Sequence, residues 1–292
     1  MASSTTPTHR SSAVIVDTSA SGKLVMFGAT NSAGKKTNDT YTYDGTNWTL
    51  YTGTSPVARG NHGMSSDGTN IVMFGGKSDT QHLGDTWTWN GTAWVQASVS
   101  VSPTPRSEGS MAYLAGTGHI HFGGKDINGH YPETWIWNGT TWTKHSSSGT
   151  AASPAGRAGL VLASNGTYVL AFGGNNNGRL FNDTWKFSAN AWTQLAVSGP
   201  SGRTGHHMTY DATNGVFVLF SGQDLGGYLA DTWTFNGTAW TKMSPPVSPP
   251  ARVGASFTYD STRTNVILFG GSNGNGALND TWIWNGSTWT KQ

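Results

Sequence analysis

One block recurs six times along the 292 residues: an acidic residue, Thr, an aromatic and, nine positions after the acid, a Trp. The copies are Asp39…Trp48, Asp85…Trp94, Glu133…Trp142, Asp183…Trp192, Asp231…Trp240 and Asp280…Trp289. Successive acids stand 46, 48, 50, 48 and 49 residues apart, while the distance from acid to Trp never changes. A period near 50 with a rigid internal block marks units that cannot bury their apolar faces alone and must stack on one another. The copies run from Arg10 almost to Gln292, which leaves no room for a second domain. Residues 1–292 therefore read as one array, with repeats at about 8–56, 57–103, 104–154, 155–200, 201–249 and 250–292.

Residues 59–103 show what one unit must be. Arg59 leads into GNHGMSS and the turn DGTN, and IVMF follows, ended by Gly75 and Gly76. Such short apolar runs, rich in β-branched and aromatic residues and bounded by turn signals, read as strands. After the loop KSDTQHLG comes DTWTWNGTAWVQA, which reads as a hairpin. Its Asn90-Gly91 is expected to be the central pair of a turn with φ > 0 at both positions. Four strands per unit, six units and no helical periodicity predict an all-β fold, a six-bladed propeller of four-stranded antiparallel blades. Paired glycines end the second strand at 75–76, 123–124, 173–174 and 270–271, where backbone must approach backbone. Arg10, Arg59, Arg106, Arg157, Arg203 and Arg252 open the six copies.

The order of Arg, inner strand, apolar run, Gly-Gly, variable loop, acid–Thr–aromatic and Trp resembles the kelch repeat, over essentially the whole chain. The resemblance implies that the first strand of each blade lies nearest the axis and the Trp-bearing strand outermost. It also implies that the post-glycine loops and the interblade loops share one face. The chain departs from relatives that share one blade between the two termini: it begins with an inner strand, HRSSAVIV, and ends with an outer one, STWTKQ. Closure by face packing, or with help from residues 1–8, is the expectation.

Composition removes several chemistries. No Cys means no disulfide, zinc–thiolate site or thiol nucleophile. With 11% charged residues, a net charge of +2 and no dense Lys/Arg cluster, nucleic acid is not an expected partner. No apolar run reaches membrane-spanning length. The start MASSTTPTHR lacks the apolar core of a signal peptide. The low charge and Thr/Asn/Trp richness suggest a secreted or extracellular protein, expected to be a monomer without a cofactor.

All 14 Trp fall at acid+2, acid+4 or acid+9, which assigns them to the wedges between blades rather than to a sugar platform. The six Arg and the six acids read as hydrogen-bonding scaffold, the Arg across the seams and the acids at turns or seams. Residues that break the pattern are the candidates for function, because loops on a rigid scaffold carry it. Three positions before the acid stand Lys36, His82, His130, Leu180, Tyr228 and Ala277. Lys77, Asp79, Lys125, Asp126, Arg179 and Asp224 lie close by in sequence, making a polar, asymmetric rim.

Blade three departs furthest. It carries His119 and His121 where other blades have Leu24/Met26, Ile71/Met73, Val169/Ala171 and Val266/Leu268. Two residues apart on a strand, they face one way and are candidate metal ligands, given a third. Blade three also has Glu108 where others have Ser12, Asn61 or Gly, and it has His130, His145 and the longest interblade loop, SSSGTAASPAG. Two functional classes follow. One is a binding propeller offering a polar axial pocket and rim to a carbohydrate or peptide. The other is a sugar epimerase, isomerase or lyase, an activity the kelch resemblance also allows, with Glu108, His130 and His207 as acid–base candidates. The copper-radical oxidases of kelch-like type require a Cys cross-linked to Tyr, and this chain has none.

Overall fold

The computed structural model describes residues 6–146 and 149–292. Residues 1–5 of the proposed closing segment, and residues 147–148 of the blade-three loop, lie outside them.

Six four-stranded antiparallel sheets are arranged around an axis, and each is made from one contiguous stretch of chain. Blade two is representative. Gly63–Ser66 lies innermost, followed outward by Ile71–Phe74, Thr86–Trp89 and Trp94–Gln96. The other inner strands are Val14–Thr18, Ser107–Leu114, Val161–Ser164, His207–Asp211 and Ser256–Asp260. The second strand is apolar on both faces because it has a neighbouring blade on each side. Ile71, Val72, Met73 and Phe74 are all buried.

The fixed spacing of the repeat has a mechanical reason. The Phe that ends each second strand meets the acid+9 Trp of the next blade. Phe27–Trp94, Phe74–Trp142, Phe122–Trp192, Phe172–Trp240 and Phe220–Trp289 have centroids 5.0–5.6 Å apart. The indole Nε1 of the same Trp donates to the acid+1 Thr of the preceding blade: Trp94 to Thr40 at 2.9 Å, and likewise Trp142 to Thr86, Trp192 to Thr134, Trp240 to Thr184 and Trp289 to Thr232. The acid–Thr–aromatic block therefore supplies the socket and the Trp of the next blade the plug.

The ring closes with the aromatic and backbone contacts of the other seams. Phe269 meets Trp48 at 5.2 Å, Ser12 N–H donates to the Gly254 carbonyl at 2.6 Å, and Gly271 N–H donates to the Arg10 carbonyl at 2.9 Å. Among the described residues no blade is shared between the termini. On the opposite face Arg263 of blade six, paired with buried Asp260 at 2.6 Å, also donates to the Asp44 carbonyl of blade one.

Two sequence expectations change. Asn90 does not adopt φ > 0, and only Gly91 does, at 95°. The loop spans four residues between paired Trp89 and Trp94, and the Asn90 side chain accepts from the Thr92 and Ala93 amides. Asn is used here for its side-chain oxygen, not for left-handed backbone. The two-residue turn with both φ positive occurs in blade four instead, at Ala189-Asn190. The Arg side chains also stay within their own blades. Each guanidinium pairs with the acid of its own repeat, as Arg59 does with Asp85 at 2.6 and 2.7 Å. The acid also accepts from the acid+2 indole, as Asp85 does from Trp87 at 2.7 Å. What crosses the seam is the Arg backbone: Arg106 N–H donates to the Leu83 carbonyl and its own carbonyl accepts from Gly76.

Candidate functional site

The residue two after each Arg sits at the axis on the face that carries the post-glycine hairpins. These residues are Ser12, Asn61, Glu108, Gly159, Gly205 and Gly254, all with φ between 57° and 66°. Left-handed backbone turns the amides of all but Gly205 toward the preceding blade. Asn61 N–H donates to Ser12, Glu108 to Asn61, Gly159 to Glu108, Gly254 to Gly205 and Ser12 to Gly254, at 2.6–3.1 Å. The result is a belt of peptide groups around one end of the axis. Glycine takes this conformation without penalty, whereas an L side chain is strained by roughly 1–2 kcal/mol. Blades four to six use glycine, and blades one to three carry side chains there. Strained non-glycine residues held by surrounding structure gather at functional positions.

The sequence-derived rim residues lie on this face, and the structure brings those of blades two and three together. Glu108 pairs with Lys125 at 3.0 Å. Lys77 bridges in backbone register to His82, and Lys125 to His130. Burial lowers the pKa of His82, and the charges of Lys77, Asp126, Glu108 and Lys125 all act on it. His130 is lowered by burial and by Lys125, with Glu108 opposing. Asp126 is held low despite some burial, chiefly by the Tyr131 hydroxyl at 2.8 Å and by the Asn128 amide. Asp79 accepts from the Lys36 amide at 3.0 Å and extends the patch to blade one. Arg179, Asp224 and Tyr228 stand apart on blades four and five. Arg179 covers Phe181, Asp224 accepts from Ser201, and Tyr228 is exposed.

Beyond the belt runs an axial channel of about 520 Å³, lined by the inner strands of all six blades and reaching the turns at the opposite face. None of the rim residues lines it, so pocket and rim are two places and not the single site expected. The free inner edges of its strands are capped by side chains from neighbouring blades. Ser110 accepts from Leu162 N–H at 2.9 Å, Thr209 from Tyr259 N–H at 3.1 Å, and His207 Nε2 from Ala255 N–H at 2.9 Å. His207 is thus a neutral acceptor in the channel wall, its pKa lowered to about 3 by burial. It is two blades away from Glu108 and His130, so the three acid–base candidates do not converge.

His119 and His121 both face blade two. His119 Nδ1 is 2.8 Å from Ser65 Oγ, and His121 packs edge-on against Phe74 at 5.1 Å. Among the described residues no third His, Asp or Glu joins them to form a metal-binding group. A packing role explains His121. Three residues after the Arg, His62 packs on Phe27 and His206 on Phe172. Blade three has Gly109 at that place, where a Cβ would come within 2.4 Å of His121 Nε2. The imidazole is supplied from the second strand instead of the first. Pairing the small Gly109 with His121 is a signal available in the sequence once the strands are aligned. His145, the other blade-three histidine, lies against Phe187 of blade four.

A family model described as the KLHDC2/KLHL20/DRC7 Kelch-repeats domain matches residues 1–174 and 166–292. The chain belongs to the kelch-repeat family. No curated protein sequence matches it significantly. Kelch propellers generally serve as scaffolds for protein interaction, and among the described residues of this one no helix is long and apolar enough to cross a membrane. Its Arg–acid pairs, Gly-Gly ends and Trp plugs are all engaged within the kelch scaffold.

Proposed function

We propose that this kelch propeller is an interaction module that receives a peptide segment of a partner protein on the post-glycine face, over blades one to three. The observation that carries the reading is the strained arc Ser12–Asn61–Glu108, around which Lys77, His82, Lys125, Asp126 and His130 gather. Mixed charges presented by short hairpins on a rigid ring suit an extended polypeptide, whose own charges and amides need alternating partners. None of the rim residues lines the channel, so the contact is made across the rim rather than deep in the channel.

The test is selection of binders from a displayed peptide library against the intact chain. Binding of the selected peptides is then measured with Glu108→Gly, which reproduces the belt residue of blades four to six, and with Lys77→Ala. Loss of affinity in both variants supports the reading. Peptides indifferent to both changes but weakened by substitutions at the channel mouth, such as Tyr113→Ala, would overturn it.

A further inference from the structure

On the turn face, away from the rim, a second cavity of about 480 Å³ opens in the seam between blades two and three. It shares Asp67 and Tyr113 with the mouth of the axial channel. Its distinguishing wall residue is His119, where the other blades place Leu24, Ile71, Val169, Phe217 and Val266. The ring is 5% exposed and tilts against Tyr113, centroids 4.9 Å apart. Nδ1 is held by Ser65 Oγ across the seam, while Nε2 has no partner among the described residues and, unlike Nδ1 of His121, is not sealed from solvent. Burial lowers the pKa of His119 to about 4, so at neutral pH it is an uncharged imidazole facing a cleft.

We propose that this cleft binds a neutral saccharide of one or two rings. A sugar hydroxyl donates and accepts at once, and it is best matched by a wall that mixes both capacities. The wall does so: Asn138 keeps its side-chain NH2 as a donor while its Oδ1 accepts from the Thr140 and Thr141 amides. Thr88 keeps acceptor capacity beside its donation to the Val95 carbonyl, and the Tyr113 hydroxyl and the neutral His119 complete the set. The Tyr113 ring adds an apolar face for a pyranose. No cation lines the cleft, and its one carboxylate, Asp67, already accepts from the Thr69 and Asn70 amides through Oδ1. An anionic ligand would find no counter-charge there. The volume falls within the range of small-ligand sites. This site is independent of the rim reading, since it lies on the other face.

Amide chemical shifts of the labelled chain, titrated with maltose, lactose and di-N-acetylchitobiose, test the proposal. At least one sugar should give saturable shifts centred on Thr117, Gly118, His119 and Gly139, with millimolar affinity. His119→Leu copies the residue of blade one and should weaken binding about tenfold through loss of a hydrogen bond. Thr88→Trp should fill the cleft and abolish binding, so the proposal stays testable if one variant folds poorly. Binding of rim-selected peptides by the same variants, expected to be unchanged, separates failure here from failure of the interaction reading. No saturable shift with any of the three sugars, or shifts that persist in both natively folded variants, would overturn it.

Discussion

Blades one to three and blades four to six are built from the same parts and differ most at the belt. Both halves carry the Arg–acid pair, the Phe–Trp plug and a left-handed residue two after the Arg. In the second half that residue is always glycine. In the first it is Ser12, Asn61 and Glu108, and Lys36, Lys77, His82, Lys125 and His130 surround them. A scaffold position that tolerates glycine without strain has been given side chains on one side only. The difference teaches that the repeat sets the backbone, while the side chains that replace glycine at the belt are confined to the half on which the proposed function rests.

The strongest test of the shared scaffold is acid. His62, His121 and His207 are buried neutral with pKa values lowered to about 3, and His206 is lowered well below the normal range. Their folded pKa values lie below the unfolded value of about 6.5, so the unfolded chain takes up protons first as the pH falls. Stability is therefore complete above about pH 6.5 and declines as the pH drops toward 3, by up to about 1.4 kcal/mol per pH unit for each histidine. Both halves contribute two residues. Urea unfolding between pH 7 and 4 should show the decline, and a flat profile over that range would contradict the burial of these rings.

Next in size, Arg59→Leu and Arg252→Leu should each cost about 3 kcal/mol by stranding a partly buried carboxylate. The cost should match between the halves, because both guanidiniums are fully buried and bidentate on Asp85 and Asp280. Unequal losses in urea would mean that the two halves do not share one scaffold. At the belt, Glu108→Gly should stabilise the chain by about 1 kcal/mol through relief of left-handed strain, while weakening rim-bound peptides. A destabilised variant would show that no strain is stored there. Smallest of all, Lys125→Ala breaks a half-exposed ion pair and should change stability by less than about 0.5 kcal/mol. A larger loss would make the pair a structural element rather than part of the recognition surface.

The aromatic block was fully legible because each Trp must fill a wedge of constant size. The Arg–acid pairing was only half legible. Spacing showed that both belong to the scaffold, but not that the side chain stays in its blade while the backbone crosses the seam. The rim residues of blades two and three were legible as outliers, yet Arg179, Asp224 and Tyr228, chosen on the same grounds, stand elsewhere. Alignment in sequence gives the height of a residue on its blade, not the direction in which its loop leans. The cleft beside His119 was signalled by a polar residue at an apolar position, which pointed toward a metal rather than toward an open seam.

The amino-acid sequence by itself determined the six blades, their strand order and the assignment of every Trp to the scaffold. Those features repeat locally, and a periodic apolar pattern can be buried in few ways. Tertiary structure decided where the openings lie. Closing the ring brings residues more than 240 positions apart, such as Ser12 and Gly254, into one belt of peptide hydrogen bonds. That belt marks one end of the axis, where the rim residues gather, while the channel reaches the turns at the other. The separation of rim, channel and cleft therefore depends on six copies meeting around an axis, which no single repeat encodes.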